Sequence, residues 1–384
     1  MMLAVDASRA AEARKTGVGW YCFSLLEYLK EIIPHDVRVM LYTDQPLPVQ
    51  LRPWPERWEE RELKRRGPMW SQLVLASAVL RDRPDVLFVP AHVIPLALTL
   101  VPRARRPRLV TTIHDVVFKE FPETYALRER WYADHATRLA MRHANRIIVP
   151  TEAVKRDLKR YYGCNKERIE VIHHGVAPHV MSTAPRRAEK SSSGLSGDLA
   201  TSLRSARDDE KMILYVGRLE YKKNVARMVE AFSLAAARMP GLRLVLAGSP
   251  GYGYADVRLA IERSPVRDRI VTPGWVDRAE CQRLFAAATV LLFPTLGEGF
   301  GLPILEAMAA GVPVITSRGG AHEEVAGGAA LLVDPTDPRV ISEAIERVLG
   351  DRNLRVSLVR RGQQRVTEFT WEAAAQQTWD VLSA

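Results

Sequence analysis

The sequence predicts an α/β fold built as two Rossmann-like domains, each a parallel sheet with helices on both faces. Two observations predict it. Short apolar runs alternate with helical periodicity in both halves of the 384 residues, and a Ser/Gly-containing stretch without periodicity, Thr183 to Lys211, separates the two series. That length suits two or three domains of usual size. The reading places a first domain over residues 1–182, a flexible connector over 183–211, a second domain over 212–369 and a terminal helix over 370–384.

In the first half, strands are expected at Leu3–Asp6, Val37–Tyr42, Val86–Pro90, Leu109–His114, Arg146–Pro150 and Ile169–His173. Helices fill the gaps, notably Gly19–Ile32, Leu127–Ala144 and Thr151–Tyr162. In the second half, strands are expected at Met212–Val216, Arg243–Ala247, Arg269–Val271, Val290–Pro294, Val314–Thr316 and Ala330–Val333. The tail from Thr370 to Leu382 has a helical pattern with Trp371 and Trp379.

The run PTLGEGFGLPILEAMAAGVPVIT, Pro294 to Thr316, carries the most chemistry. An apolar strand leads into a glycine turn (Gly297, Gly299, Gly301) and then a helix from about Leu302 to Ala310. Such a unit offers backbone amides and the positive end of a helix to an anion, most often a phosphate. Glu298 lies in the turn, and Glu306 about one turn into the helix, where a carboxylate accepts hydrogen bonds from sugar hydroxyls. A ligand bearing both phosphate and polyol suits this unit.

A second phosphate-type element is ILYVGRLEYKKN, Ile213 to Asn224. Arg218 and Lys223 follow a strand exit at Gly217, and Asn224 is placed to cap the next helix. Arginine offers phosphate a planar fork of donors and lysine a point charge. Strand-end basic residues also occur as a solvated rim, so the paired glutamates give this element its weight.

GRLEYKKN followed by EGFGLPILE resembles the nucleotide-sugar site of retaining glycosyltransferases with the GT-B fold, family four. Those enzymes carry G-R-L-x-x-x-K-N and two glutamates separated by seven residues, the spacing of Glu298 and Glu306. In the first half the resemblance includes TGVGWY (Thr16 to Tyr21), TIHD (Thr111 to Asp115) and VPTEAVKRDL (Val149 to Leu158). It implies two domains facing a central cleft, with the terminal helix crossing back to the first.

The resemblance also implies roles. Arg218 and Lys223 stabilise the departing diphosphate. Glu298, with the segment Gly299, Phe300, Gly301 and Leu302, holds the donor hexose, and Glu306 holds the ribose hydroxyls. Val276, in the loop TPGWVDRAE, meets the nucleobase through its backbone. Gly17 and Gly19, placed just before the first helix, either meet the donor phosphates through their amides or form a plain helix-entry turn. His114, at the end of a strand and facing the cleft, shapes the reaction centre by the TIHD match, where a lone histidine would read as structural. The stretch GSPGYGY from Gly248 lacks dinucleotide spacing and falls at the cleft edge.

No DxD element lies beside a diphosphate site; Asp208-Asp209 sits in the polar connector. Metal independence is therefore expected, and no cofactor is implied. His173 and His174 are adjacent on a strand and point to opposite faces, which disfavours joint ligation of one ion. His322-Glu323-Glu324 fails as HExxH because Ala326 stands at the second histidine position. Cys22, Cys164 and Cys281 form no CxxC pairing and imply reduced thiols in the cytosol.

The opening, AVDASRAAEARKTGVGWYCFSLLEYL, resembles the bacterial mannosyltransferases that build O-chains and related polysaccharides. It implies GDP-mannose as donor, ahead of UDP-glucose and other nucleotide sugars, and a glycan or lipid-linked acceptor at the inner membrane's cytosolic face. A nucleotide-sugar 2-epimerase of the same fold, or a non-catalytic carbohydrate-binding protein, is the alternative.

Composition matches an ordinary soluble globular protein, with 47% hydrophobic and 26% charged residues; secretion is not expected from the opening MMLAVDASRA, and no apolar run approaches membrane-spanning length. Of the net charge of +10, residues 1–180 carry +8 from 29 basic and 21 acidic residues. Basic runs at Lys64–Arg66 and Arg103–Arg106 read as solvated surface or as attraction to anionic lipid, each such residue adding about 1 kcal/mol near a membrane. Nucleic-acid binding is disfavoured, because aromatics are not interleaved with these charges.

Overall fold

The computed structural model describes residues 1–63, 69–91, 93–102, 105–163, 166–176 and 211–384. The expected connector, apart from Lys211, lies outside the described residues, as do Asp208-Asp209, Cys164, the run Lys64–Arg66, and Arg103 with Ala104. Two compact units are present. The first comprises Met1–Pro122, Ala126–Gly175 and Phe369–Ala384, and the second Glu123–Tyr125 and Val176–Glu368.

The first unit is built on a seven-stranded sheet: β1 (Met2–Asp6), β2 (Arg38–Thr43), β3 (Trp58–Glu62), β4 (Val86–Val89), β5 (Arg108–Thr112), β6 (Arg146–Val149) and β7 (Ile169–Val171). The order is β3-β2-β1-β4-β5-β6-β7, with every pairing parallel. Side chains alternate between two apolar layers, as the pleat requires. Leu3, Val5, Val39 and Leu41 join one core, while Ala4, Met40 and Tyr42 join the other.

The first of these cores is closed by the helices Gly17–Ile32 and Trp371–Ser383, through Tyr21, Leu25 and Leu29 on one and Trp371, Ala374, Ala375 and Leu382 on the other. Thr370 caps the second helix, its hydroxyl accepting from the Ala373 amide. Gly175 lets the chain pass beneath that helix: a Cβ there would stand 2.2 Å from the Trp371 nitrogen. β3 is absent from the sequence expectations. Its segment WEERE has no apolar run, because an edge strand buries only Trp58 and covers itself with charge.

The second unit carries β8 (Lys211–Val216), β9 (Leu242–Ala247), β10 (Ile270–Gly274), β11 (Val290–Phe293), β12 (Val314–Ser317) and β13 (Leu331–Val333). All pairings are parallel, in the order β10-β9-β8-β11-β12-β13. Counted from β8, this is the 3-2-1-4-5-6 order of doubly wound sheets, whose direction of winding reverses between β8 and β11. Lys211, expected in the connector, opens β8 instead.

No helix among the described residues is long and apolar enough to cross a membrane. Cys22 and Cys281 are free thiols, and burial pushes both above the usual thiol range, away from nucleophilic thiolate.

Candidate active site

Ligands of open α/β sheets bind beyond the carboxyl ends of strands where the winding reverses. In the second unit that point is flanked by the loop after β8, Gly217 to Asn224, and the loop after β11, Pro294 to Gly301. Both chemistry-bearing motifs therefore converge on one spot. Lys223 Nζ pairs directly with Glu298 Oε1, with both side chains nearly buried at 15% and 11% exposure. The ammonium also stands 5.9 Å from the centre of the Phe293 ring. The lysine thus reaches across the switch point and is held there.

Arg218 lies on the same loop but is turned to Glu220, with 3.3 Å between Nε and Oε2, and remains 55% exposed. Glu220 is buried and also draws Lys222, which donates at 3.1 Å to the Tyr125 hydroxyl. Neither Glu220 nor Lys222 is singled out by the sequence reading, although both lie inside GRLEYKKN.

Asn224 does not cap the following helix with its side chain. Its backbone is left-handed (φ 61°), and Nδ2 donates to the carbonyls of Pro294 at 2.9 Å and Pro335 at 2.6 Å. Asparagine tolerates this conformation better than most residues. Buried and so engaged, it ties the β8 loop to the β11 loop.

GSPGYGY belongs to the same construction. The pairing of β8 and β9 continues beyond the strands: the Leu219 amide donates to Ser249 O at 2.9 Å, the Gly251 amide to Leu219 O at 2.9 Å and the Tyr221 amide to Tyr252 O at 2.8 Å. Gly248 has φ 156°, and a Cβ there would fall 1.8 Å from the Gly217 carbonyl oxygen. The glycine is required by the close approach of the two loops.

Beyond β11, Gly299 and buried Phe300 lead to Gly301, which adopts φ 95° at the N-terminus of the helix Leu302–Ala309. Pro303 in the first turn suits a helix start, and the amide end carries partial positive charge. Glu306 is partly buried in this helix. Burial holds its carboxyl above the usual range, with Arg278 pulling the other way. Arg278 begins the helix that follows Trp275, Val276 and Asp277, so the loop holding Val276 adjoins the segment that faces Glu306. Asp277 fixes that helix start by accepting from the Glu280 amide at 2.8 Å.

Behind the ion pair lies His322, which the sequence reading considers only as a failed metal motif. It is buried and shares a 2.6 Å hydrogen bond between Nε2 and Thr295 Oγ1. Burial, aided by Lys223 and opposed by Glu298, pushes its pKa down to about 4, so the ring is neutral at pH 7. Among the described residues no group of three His, Cys, Asp or Glu side chains could hold a metal ion.

In the first unit, the expectations for Gly17, Gly19 and His114 need correction in position. Gly17 and Gly19 lie within the first turn of the helix Gly17–Ile32, not ahead of it. Open space surrounds the Cβ direction of Gly17, while at Gly19 a Cβ would meet the Arg9 carbonyl at 3.1 Å. β5 ends at Thr112, because the chain leaves the sheet there, and His114 lies two residues beyond it, 7% exposed. Its Nε2 donates to Pro90 O at 3.0 Å. Tyr21 packs edge-on against the His114 ring at 4.9 Å and lies 4.5 Å from His174. Burial and the neighbouring histidines hold His174 well below its usual pKa.

Two family descriptions match the chain. Residues 15–180 match "Glycosyltransferase Family 4" and residues 204–365 match "Glycosyl transferases group 1". The chain is 28% identical over 278 residues to the O-antigen chain mannosyltransferase B of Escherichia coli, a stretch covering 71% of this chain and 70% of that protein. It is 32% identical over 235 residues to the D-inositol 3-phosphate glycosyltransferase of Mycolicibacterium smegmatis, covering 59% of this chain but only 50% of that protein. In fold it is similar to Anabaena HepE, solved with UDP and glucose, at a TM-score of 0.75 and 19% identity over 100% of this chain and 99% of that one. With both halves matched in order and both switch-point loops in place, the chain belongs to the family-four glycosyltransferases of the GT-B fold.

Proposed function

We propose that this glycosyltransferase moves a hexose from a nucleoside diphosphate sugar to an acceptor hydroxyl with retention of configuration. Mannose from GDP-mannose is the preferred donor, and the acceptor is a glycan or lipid-linked glycan of cell-surface polysaccharide synthesis. The observation that carries the reading is the Lys223–Glu298 pair at the switch point, set beside the amino end of a helix. A positioned ammonium and a helix dipole stabilise charge that grows on a departing diphosphate, the effect that usually dominates such catalysis. Similarity to the O-antigen mannosyltransferase supports the choice of mannose.

In this scheme Arg218 swings from Glu220 to the diphosphate, its exposure leaving room to do so. Glu306 holds the ribose hydroxyls, the Val276 backbone meets the base, and Glu298 with Gly299, Phe300, Gly301 and Leu302 frames the hexose. Gly17 and Gly19 serve the phosphates, and His114 serves the transferred sugar. Glu298 is already paired with Lys223, which makes it a poor nucleophile for a double displacement. Same-face attack therefore fits better: the acceptor oxygen bonds to the anomeric carbon as the C–O bond to phosphate breaks, and the leaving phosphate takes the acceptor proton. Phosphate charge is met by side chains and amides, so turnover continues in excess EDTA. The enzyme works at the cytosolic face of the membrane, touching anionic lipid peripherally.

A donor screen that detects released nucleoside diphosphate, with product analysis, tests the proposal. GDP-mannose should give GDP and a mannosylated acceptor with retained configuration. A preference for UDP-glucose would overturn the donor assignment, and a free epimerised sugar would overturn transfer itself. The similarity to D-inositol 3-phosphate glycosyltransferases makes a phosphorylated polyol the second acceptor to test.

A further inference from the structure

A cavity of about 240 Å³ lies in the first unit, lined by Arg106, Arg108, Arg142, His143 and Arg168 among others. Arg108 opens β5 and Arg168 immediately precedes β7, while His143 ends the helix Leu127–His143. The cavity therefore sits at the amino ends of parallel strands, away from the carboxyl ends where the sheet presents Gly17 and His114. Its size is below the roughly 300–1,000 Å³ of sites for whole organic ligands and suits a small anionic group.

Four guanidinium groups around one cavity repel one another, and no carboxylate side chain lines it among the described residues. Three of the four, Arg106, Arg108 and Arg168, are held in place by main-chain oxygens, while Arg142 is exposed at the rim. Arg106 donates to His143 O at 3.3 Å, and Arg168 to Ala144 O at 3.2 Å and Met141 O at 3.0 Å, which caps the helix end. Arg108 donates to Val381 O at 2.8 Å and to the Ala384 main-chain oxygen. A guanidinium has five donors, so these bonds fix the groups while leaving others for a ligand.

We infer that this cavity is an anion site for a phosphate group, separate from the sugar-transfer site. Planar, prepositioned guanidinium forks match phosphate oxygens two at a time, and an anion relieves the repulsion among them. The phosphate belongs either to a lipid headgroup or to a small soluble anion.

The test uses the full chain and two probes: inorganic phosphate by calorimetric titration, and flotation with phosphatidylglycerol vesicles against phosphatidylcholine. The wild type should bind at least one. Arg106→Gln/Arg142→Gln should weaken that binding about tenfold or more, since two charge-assisted contacts are lost, with kcat and KM for sugar transfer unchanged. Arg142→Gln alone removes no helix-capping bond and keeps the result readable if the double variant folds poorly. Loss confined to anionic vesicles identifies a headgroup, and loss confined to phosphate a soluble anion. A wild type that binds neither probe, or variants that bind as well as the wild type, would overturn the assignment.

Discussion

Lys223 and Glu298, 75 residues apart, form a nearly buried ion pair that spans the switch point of the second sheet. One partner follows β8 and the other follows β11, so the pair exists only when those strands are neighbours. Breaking it by Lys223→Ala leaves a poorly solvated carboxylate, which costs about 3–5 kcal/mol in stability for a fully buried pair and less here. Turnover should fall about 10²–10³-fold, the loss of one preorganised charge at the leaving group. Glu298→Gln should be milder for folding. A double-mutant cycle on kcat/KM and on urea midpoints checks both, and strictly additive effects would show that the pair does not act as a unit.

Glu306→Gln should weaken nucleoside diphosphate binding about 10–100-fold, because a charged acceptor of hydroxyl hydrogen bonds becomes neutral. The fold should survive, since burial already disfavours the charged carboxylate. Calorimetric titration with GDP measures this, and unchanged affinity would move the ribose elsewhere.

His114→Ala should lower turnover by at least about tenfold while donor affinity changes little. The Pro90 carbonyl holds the ring through Nε2, so its proposed part is in shaping the reaction centre and not in anchoring the donor. Equal large losses in affinity and turnover would make it an anchor for the donor instead.

His322 gives the second unit a defined acid weakness. The folded ring stays neutral down to about pH 4, whereas the unfolded ring protonates near 6.5. Its contribution is whole above pH 6.5 and lost as the pH falls to about 4, by about 3 kcal/mol. His174 acts in the same direction from the first unit. Urea unfolding between pH 4 and 7 should show a shallower decline for His322→Gln; superimposable pH profiles would refute it.

Gly248→Ala should destabilise the second unit by about 2–4 kcal/mol, because its methyl group would overlap the Gly217 carbonyl. The melting temperature should drop by about 5–10 °C. Gly17→Ala, with nothing within 4 Å of its Cβ, should be nearly neutral in stability. Thermal scans of the two variants side by side check the contrast.

The sequence by itself determined the two parallel-sheet units and the places of their main strands. Runs such as VLFV, RIIV and VLLF are buried on both faces, and that burial writes itself into composition over four residues. The glycine turn before Leu302 was likewise legible, because only a few residue types permit its backbone. Tertiary structure decided what depends on partners distant in the chain. β3 is a strand because β2 pairs with it, although WEERE shows no apolar run. Asn224 ties two loops instead of capping a helix, because Pro294 and Pro335 are brought to it. Lys223 meets Glu298, and His322 lies behind them, only once β8, β11 and β12 stand side by side. Local pattern encodes which segments are buried and which turns they permit, whereas strand order sets which charges meet, and one strand's sequence holds no record of its neighbour.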